Sequence, residues 1–258
     1  MQRCDSLRDA SPSAVAHRVA ADLLVVGSRG ASGIKRALTG SISKSILEAV
    51  DVAVCIVRAG VFVKDSPPFR LPTASGAELA SPLPHLKRSR NIAMALDGSD
   101  VSSVLVAWAS QLLLRRADRV TLLHSSYGLD EFATLATAGQ LAACAAALRK
   151  VVGSSETGAQ EEAVTVQRLP EHSSPAHAIQ EALEKQGPFD LLLVGSRGLS
   201  AMGKLKERLL GSYGSVSSAL VENAPAPVLV LSKGTLVEWL ERAAVPPETP
   251  LKGAPQAA

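Results

Sequence analysis

The sequence predicts an α/β protein with a doubly wound, open parallel sheet, together with a half-copy of the same unit. Three observations predict it. Short aliphatic runs such as Ile92-Ala93-Met94-Ala95-Leu96, Leu191-Leu192-Leu193-Val194 and Val228-Leu229-Val230-Leu231 show no polar alternation, as strands covered on both faces require. Helix-period segments separate these runs, and such alternation implies parallel strands joined by crossover helices. Finally, a strand, glycine loop, helix and strand between Asp190 and Ser232 recur between Ala21 and Val57.

The first copy occupies residues 9–59. Ser11-Pro12-Ser13-Ala14-Val15-Ala16 precedes its first strand as Ser174-Pro175-Ala176-His177-Ala178-Ile179 precedes the later one, with Pro where a helix begins. The copy therefore reads helix, strand, helix, strand, with no counterpart of residues 91–170, and is a half-domain. Residues 60–90 scatter Pro67, Pro68, Pro72, Pro82 and Pro84 among Ser, Ala and Gly and read as a linker.

Residues 91–233 form the complete domain. Its first strand, 92–96, ends in Asp97-Gly98-Ser99-Asp100. A helix over 101–116 carries Val104, Leu105, Trp108 and Leu112 on one side. Strand 120–124 precedes a long Ala-rich helix, 129–152, and a polar loop over 157–163. Strand 164–168, helix 176–185 and strand 190–194 follow. Gly214-Ser215 opens a helical pattern with Val216, Ala219, Leu220 and Asn223, which Pro225 and Pro227 end before strand 228–231. Residues 234–258 hold one more helical pattern, Leu236, Trp239, Leu240 and Ala243, and a Pro-containing tail. That helix either docks its apolar stripe on the body or binds a partner.

A glycine loop between a strand and a helix N-terminus is a device for holding an anion: unpaired N–H groups converge there, and the helix dipole favours negative charge. The alternative is a tight connection whose glycines serve only sterics. In the complete copy the loop is Gly195-Ser196-Arg197-Gly198, leading to Gly214-Ser215-Val216-Ser217. In the first copy it is Gly27-Ser28-Arg29-Gly30, then nine residues, then Gly40-Ser41-Ile42-Ser43. This signature, with both flanking strands and twice over, resembles the nucleotide-binding motif of the universal stress protein family, especially plant and algal members.

The resemblance implies strand order 3-2-1-4-5 for the complete domain and a ligand crevice where that order reverses. It implies an adenine nucleotide, ATP or AMP with or without Mg, with Asp97 near the nucleoside and Ser125 near the base. Gly195 and Gly198 would line the ribose and first phosphate, and Gly214, Ser215 and Val216 the outer phosphates. Asp97 has an alternative reading as a turn residue before a helix capped by Ser99 or Asp100. Arg197, like Arg29, reads as a phosphate neighbour or as a solvated loop arginine. Two features depart from the family pattern. Fifteen residues separate Gly198 from Gly214, against nine in the first copy, and Gly211-Ser212 is an alternative register with twelve. Ser125-Ser126 stands where the family has an aliphatic residue against the base. In the first copy Gly27, Gly30, Gly40 and Ser41 are expected to form at most a phosphate-sized nest, because Asp97 has no counterpart there. Family members dimerise through their fifth strands, so residues 54–57 are expected antiparallel beside residues 228–231, or paired with another chain. The outer side of the first strand, around Leu23 to Val26, is left unpaired.

At 258 residues the chain holds one large or two small domains, and with 47% apolar but only 3% aromatic residues its core must be Ala, Val and Leu. A net charge of +3 is too small to argue for nucleic acid. The run Lys87-Arg88-Ser89-Arg90 reads as a solvated linker end, or as a localisation signal or polyanion patch. Cys4, Cys55 and Cys144 lack paired spacing and read as reduced thiols, which suits a cytoplasmic protein. No apolar run is expected to cross a bilayer, and His172 with His177 does not make a zinc site. No Ser, His and Asp can be assigned as a triad, and no general base or metal-binding carboxylate pair is evident, so no catalytic residue is assigned. The function expected is a nucleotide-binding sensor or regulator in a stress response. Its alternatives are a structural dimerisation module and, with least support, a slow nucleotide hydrolase.

Overall fold

The computed structural model describes residues 21–27, 46–47, 50–57, 89–127, 129–153, 163–170, 174–196 and 215–244. Of the expected linker over residues 60–90, residues 60–88 lie outside them, as does the tail beyond residue 244. Seven strands form a single sheet: β1 (Leu23–Gly27), β2 (Ala53–Val57), β3 (Asn91–Ala95), β4 (Arg119–Ser125), β5 (Val164–Leu169), β6 (Leu191–Gly195) and β7 (Val228–Leu231). Their order is β1-β2-β7-β6-β3-β4-β5. β1 and β2 extend the five strands of residues 91–233 to seven, through the antiparallel pairing of residues 54–57 with residues 228–231 that the sequence predicts. Within the complete domain β3 is central, with β4 and β5 on one side and β6 and β7 on the other.

All neighbouring pairs are parallel except one. The strands β2 and β7 run antiparallel, with Val54 beside Val230, Cys55 beside Leu229 and Ile56 beside Val228. A second tie crosses the same junction. The hydroxyls of Ser232 and Thr235 both donate to the carbonyl of Asp51. Ser232 also accepts from the Thr235 N–H at 3.1 Å, which caps the last helix.

Five helices complete the described structure: α1 (Asp100–Leu112), α2 (Glu131–Val152), α3 (Pro175–Gln186), α4 (Ser215–Asn223) and α5 (Lys233–Ala244). Alternate residues of each central strand face opposite sides, so each face of the sheet carries its own core. One core joins Met94, Leu122, Leu193 and Leu229 to Leu105 and Trp108 of α1, Leu141 and Leu148 of α2, and Leu236 of α5. The other joins Ala93, Leu123, Leu192, Val194 and Val228 to Ile179 and Leu183 of α3, Leu220 and Val221 of α4, and Ile46 and Leu47. Each fully buried leucine contributes about 1.5–3 kcal/mol of transfer free energy, so aliphatic volume does the work that scarce aromatics cannot. The apolar stripe of α5 lies on the body through Leu236 and Trp239.

Local chemistry sets the helix ends. Asp130 caps α2 by accepting from the Ala133 N–H at 2.7 Å, so the helix starts at Glu131 rather than at 129. Ser174 caps α3 by accepting from the His177 N–H, with Pro175 in the first turn. α1 stops at Leu112 rather than 116, which leaves Leu112 55% exposed instead of on the packed stripe. The N–H groups of Leu113 and Leu114 both turn onto the Ala109 carbonyl, and Ala117 adopts a positive φ of 72°. The buried Asp118 then organises the entry to β4. It pairs with Arg90, and it accepts from the Arg90 and Arg115 backbone N–H groups. Arg90, part of the basic run before β3, is thus a structural residue rather than part of a solvated patch.

The expectation that no segment could cross a bilayer is corrected for α2. It is 22 residues long and contains an 18-residue stretch of mean hydropathy 1.2, which meets the length and composition of a membrane span, because eight alanines replace the usual polar face. Its Leu141, Cys144, Ala145 and Leu148 are packed in the core against the sheet.

Candidate functional site

The carboxyl ends of β3, β4 and β6 converge at the point where the chain turns from one half of the sheet to the other. In register, Ala95 lies beside Leu123 of β4 and Val194 of β6. Asp97 follows the end of β3 by two residues, Ser125 is the last residue of β4, and Ser196 follows the last residue of β6. Crevices at such reversals are where doubly wound sheets take ligands, because both crossovers leave the strand ends uncovered.

The turn after β3 is built from short polar side chains. Oδ1 of Asp97 accepts from the Ser99 N–H at 3.0 Å, the Ser99 hydroxyl at 2.6 Å and the Ser102 hydroxyl at 2.9 Å. Ser102 Oγ in turn accepts from the backbone N–H groups of Asp97 and Gly98, each at 3.1 Å. Asp97 is nonetheless exposed, and only its Oδ1 is committed to the turn. Gly98 sits at φ +76°, and a Cβ there would lie 2.3 Å from Cγ2 of Thr137 on α2. A side chain is barred at this position by backbone conformation and by space alike. One turn further along α2, Gln140 donates to the Ser99 carbonyl at 3.1 Å and to Ser103 Oγ at 3.3 Å. α2 therefore clamps the turn that presents Asp97.

At the end of β4, His124 is buried and its Nδ1 lies 2.9 Å from the Leu96 carbonyl. A carbonyl only accepts, so Nδ1 carries the proton and ties β4 to the end of β3. Its Nε2 is buried and has no hydrogen-bond partner among the described residues. Ser125, half-buried, accepts from the Tyr127 N–H, and Ser126 is buried.

At the end of β6, the Ser196 N–H donates to the Leu231 carbonyl at 3.0 Å, while Ser196 Oγ is buried and has no partner among the described residues. The Ser217 hydroxyl donates to the Ser196 carbonyl at 3.3 Å. That bond holds the first turn of α4 against the end of β6, with Ser215 exposed at its start and Val216 half-buried.

Of the residues singled out from sequence, Asp97, Ser125, Gly195, Ser215 and Val216 are described, and Asp97, Ser125 and Gly195 come to one end of the sheet. Arg197, Gly198, Gly211, Ser212 and Gly214 lie outside the described residues, as do Gly30, Gly40 and Ser41 of the first copy. Gly27 ends β1. Sequence reasoning missed Ser102, Thr137 and Gln140. The Asp97-Gly98-Ser99 string is a turn signal for Ser99, but nothing local marks Thr137 and Gln140, which reach the turn only through tertiary packing.

Fold and crevice together define a Rossmann-like α/β protein with its candidate ligand site at the sheet's reversal point. The sequence profile of the Universal stress protein family matches residues 9–58 and 88–232, more than half of the chain, and the chain belongs to that family. The structure is similar to that of a universal stress protein from Archaeoglobus fulgidus DSM 4304, with 21% identity and a TM-score of 0.52 over 85% of this chain. The present chain spans 65% of that protein's length. A second Archaeoglobus fulgidus universal stress protein is 17% identical, covers 57% of this chain and 96% of its own, and has a TM-score of 0.40. A universal stress protein in complex with cAMP is 21% identical over 56% of this chain and 97% of its own, with a TM-score of 0.37. No curated protein sequence matches the chain.

Proposed function

We propose that residues 91–233 bind an adenine nucleotide, ATP or AMP, at the carboxyl ends of β3 and β6, and that the protein acts as a cytoplasmic sensor or regulator in a stress response. The observation that carries this reading is the Ser217–Ser196 hydrogen bond. It sets the N-terminus of α4, the positive end of its dipole, beside the strand that ends in Gly195. In this reading Asp97 meets the nucleoside, Gly195 and Gly198 line the ribose and first phosphate, and Ser215 meets the outer phosphates. Family membership supports the same ligand class.

A structural module without nucleotide is the second reading. It is favoured by the three hydrogen bonds that Asp97 Oδ1 already takes from its own turn.

Calorimetric titration of ATP into the full chain, with AMP, cAMP and magnesium as comparisons, separates the two. Saturable binding near micromolar, about −8 kcal/mol, that is lost in the Gly198→Ala, Ser215→Ala double variant supports the nucleotide reading. No heat up to millimolar ATP, from protein shown to be folded, refutes it.

A further inference from the structure

The two copies of the repeat put nearly the same strand in different surroundings. β1 is Leu-Leu-Val-Val-Gly and β6 is Leu-Leu-Leu-Val-Gly, and each lies parallel to the last strand of its own copy. The far edge of β6 is bonded to β3, and its Leu193 is fully buried under α1. The far edge of β1 pairs no described strand. Val25, which corresponds to Leu193, is 61% exposed, and Leu23 is 37% exposed on the same face. Proteins protect such edges with charges, proline or bulges, and residues 23–27 carry no charge and no proline.

We propose that β1 pairs antiparallel with β1 of a second copy of this chain, across a two-fold axis through Val25. The topology selects this occupant. Among the described residues a second copy offers two open edges, its own β1 and β5, since every other described strand is flanked on both sides. β5 exposes Thr165 and Arg168, so it already carries the polar and charged groups that discourage pairing. Pairing β1 with β5 of the next copy would also be head-to-tail and leave an edge free at each step, whereas β1 with β1 closes as a dimer. In the closed arrangement Val25 faces its own copy and Leu23 faces Gly27. The four exposed aliphatic side chains then form one strip across the joint, and the unpaired backbone groups of both edges are satisfied. The chain already joins copies of its repeat edge to edge in this sense at β2 and β7.

The test is the mass of the full chain in solution, measured by light scattering across micromolar concentrations. The expected result is a dimer that Val25→Lys converts to a monomer with unchanged far-ultraviolet circular dichroism, while Val166→Lys on β5 leaves it dimeric. Val25 is exposed, so the lysine is compatible with folding. As an independent check on register, Val25→Cys in a Cys4→Ser background should form a disulfide-linked dimer under mild oxidation. A monomeric wild type, a dimer that survives Val25→Lys, assemblies growing beyond two copies, or no cross-link through Cys at position 25 each overturns the proposal.

Discussion

Replacing Gly98 by alanine tests how the candidate site is held, because the cost follows from geometry alone. At φ +76° an alanine is in the left-handed region, which costs about 1 kcal/mol. Its Cβ would lie 2.3 Å from Thr137 Cγ2 and 3.0 Å from Thr137 Cβ, so α2 must retreat or the turn must twist. Overpacking of this kind costs about 1–3 kcal/mol, which brings the expected total to about 3 kcal/mol. In urea the midpoint should fall by roughly 1–2 M. Adding Thr137→Ala removes the closest atom and leaves only the 3.0 Å approach, which a small shift relieves. The double variant should therefore recover about 1–2 kcal/mol of coupling while the backbone penalty stays. If Gly98→Ala unfolds within about 0.5 kcal/mol of wild type, the packing of the turn on α2 described above is wrong. If the double variant shows no coupling, Thr137 is not the obstacle.

Two further predictions concern ionisable groups. Asp97→Asn keeps the oxygen that accepts from Ser99 and Ser102 but removes the charge, so stability should change by less than about 0.5 kcal/mol while ATP affinity falls roughly tenfold to a hundredfold. Asp97→Ala should in addition lose about 1 kcal/mol from the hydrogen bonds of the turn, and full ATP affinity in the Asn variant would leave Asp97 as a turn residue only. Burial pushes the Cys55 thiol up to about 11. A folded pKa above the unfolded one means that stability is fully present below the ordinary thiol range, then falls as the unfolded chain ionises and the folded one does not. Between pH ~8.5 and ~11 this should remove about 2–3 kcal/mol. Urea midpoints across that window should fall less steeply for Cys55→Ala, and parallel slopes would contradict the assignment.

The strands were legible because a strand buried on both faces writes itself as a short aliphatic run: β3, β6 and β7 fall within a residue of the runs that predict them. Pro175 after Ser174 announces a helix start for the same local reason. Where the reading drifted, a non-local contact decided. α1 ends four residues early because Asp118 draws in the Arg115 N–H and pairs with Arg90 from across the domain. The apolar spacing that continues through Leu112 contains no sign of this.

What the sequence determined by itself is the set of elements, their alternation, the duplication and the chemical character of the loops, all encoded among residues a few positions apart. Tertiary structure alone decided the register that puts Val54 beside Val230, that Thr137 and Gln140 of α2 hold the Asp97 turn, and that Arg90 is structural. It alone made Val25 exposed and Leu193 buried within almost identical strands. Periodicity tells a residue which face of its strand it occupies. Which strand lies beyond that edge, and which helix above that face, depends on the path of the whole chain.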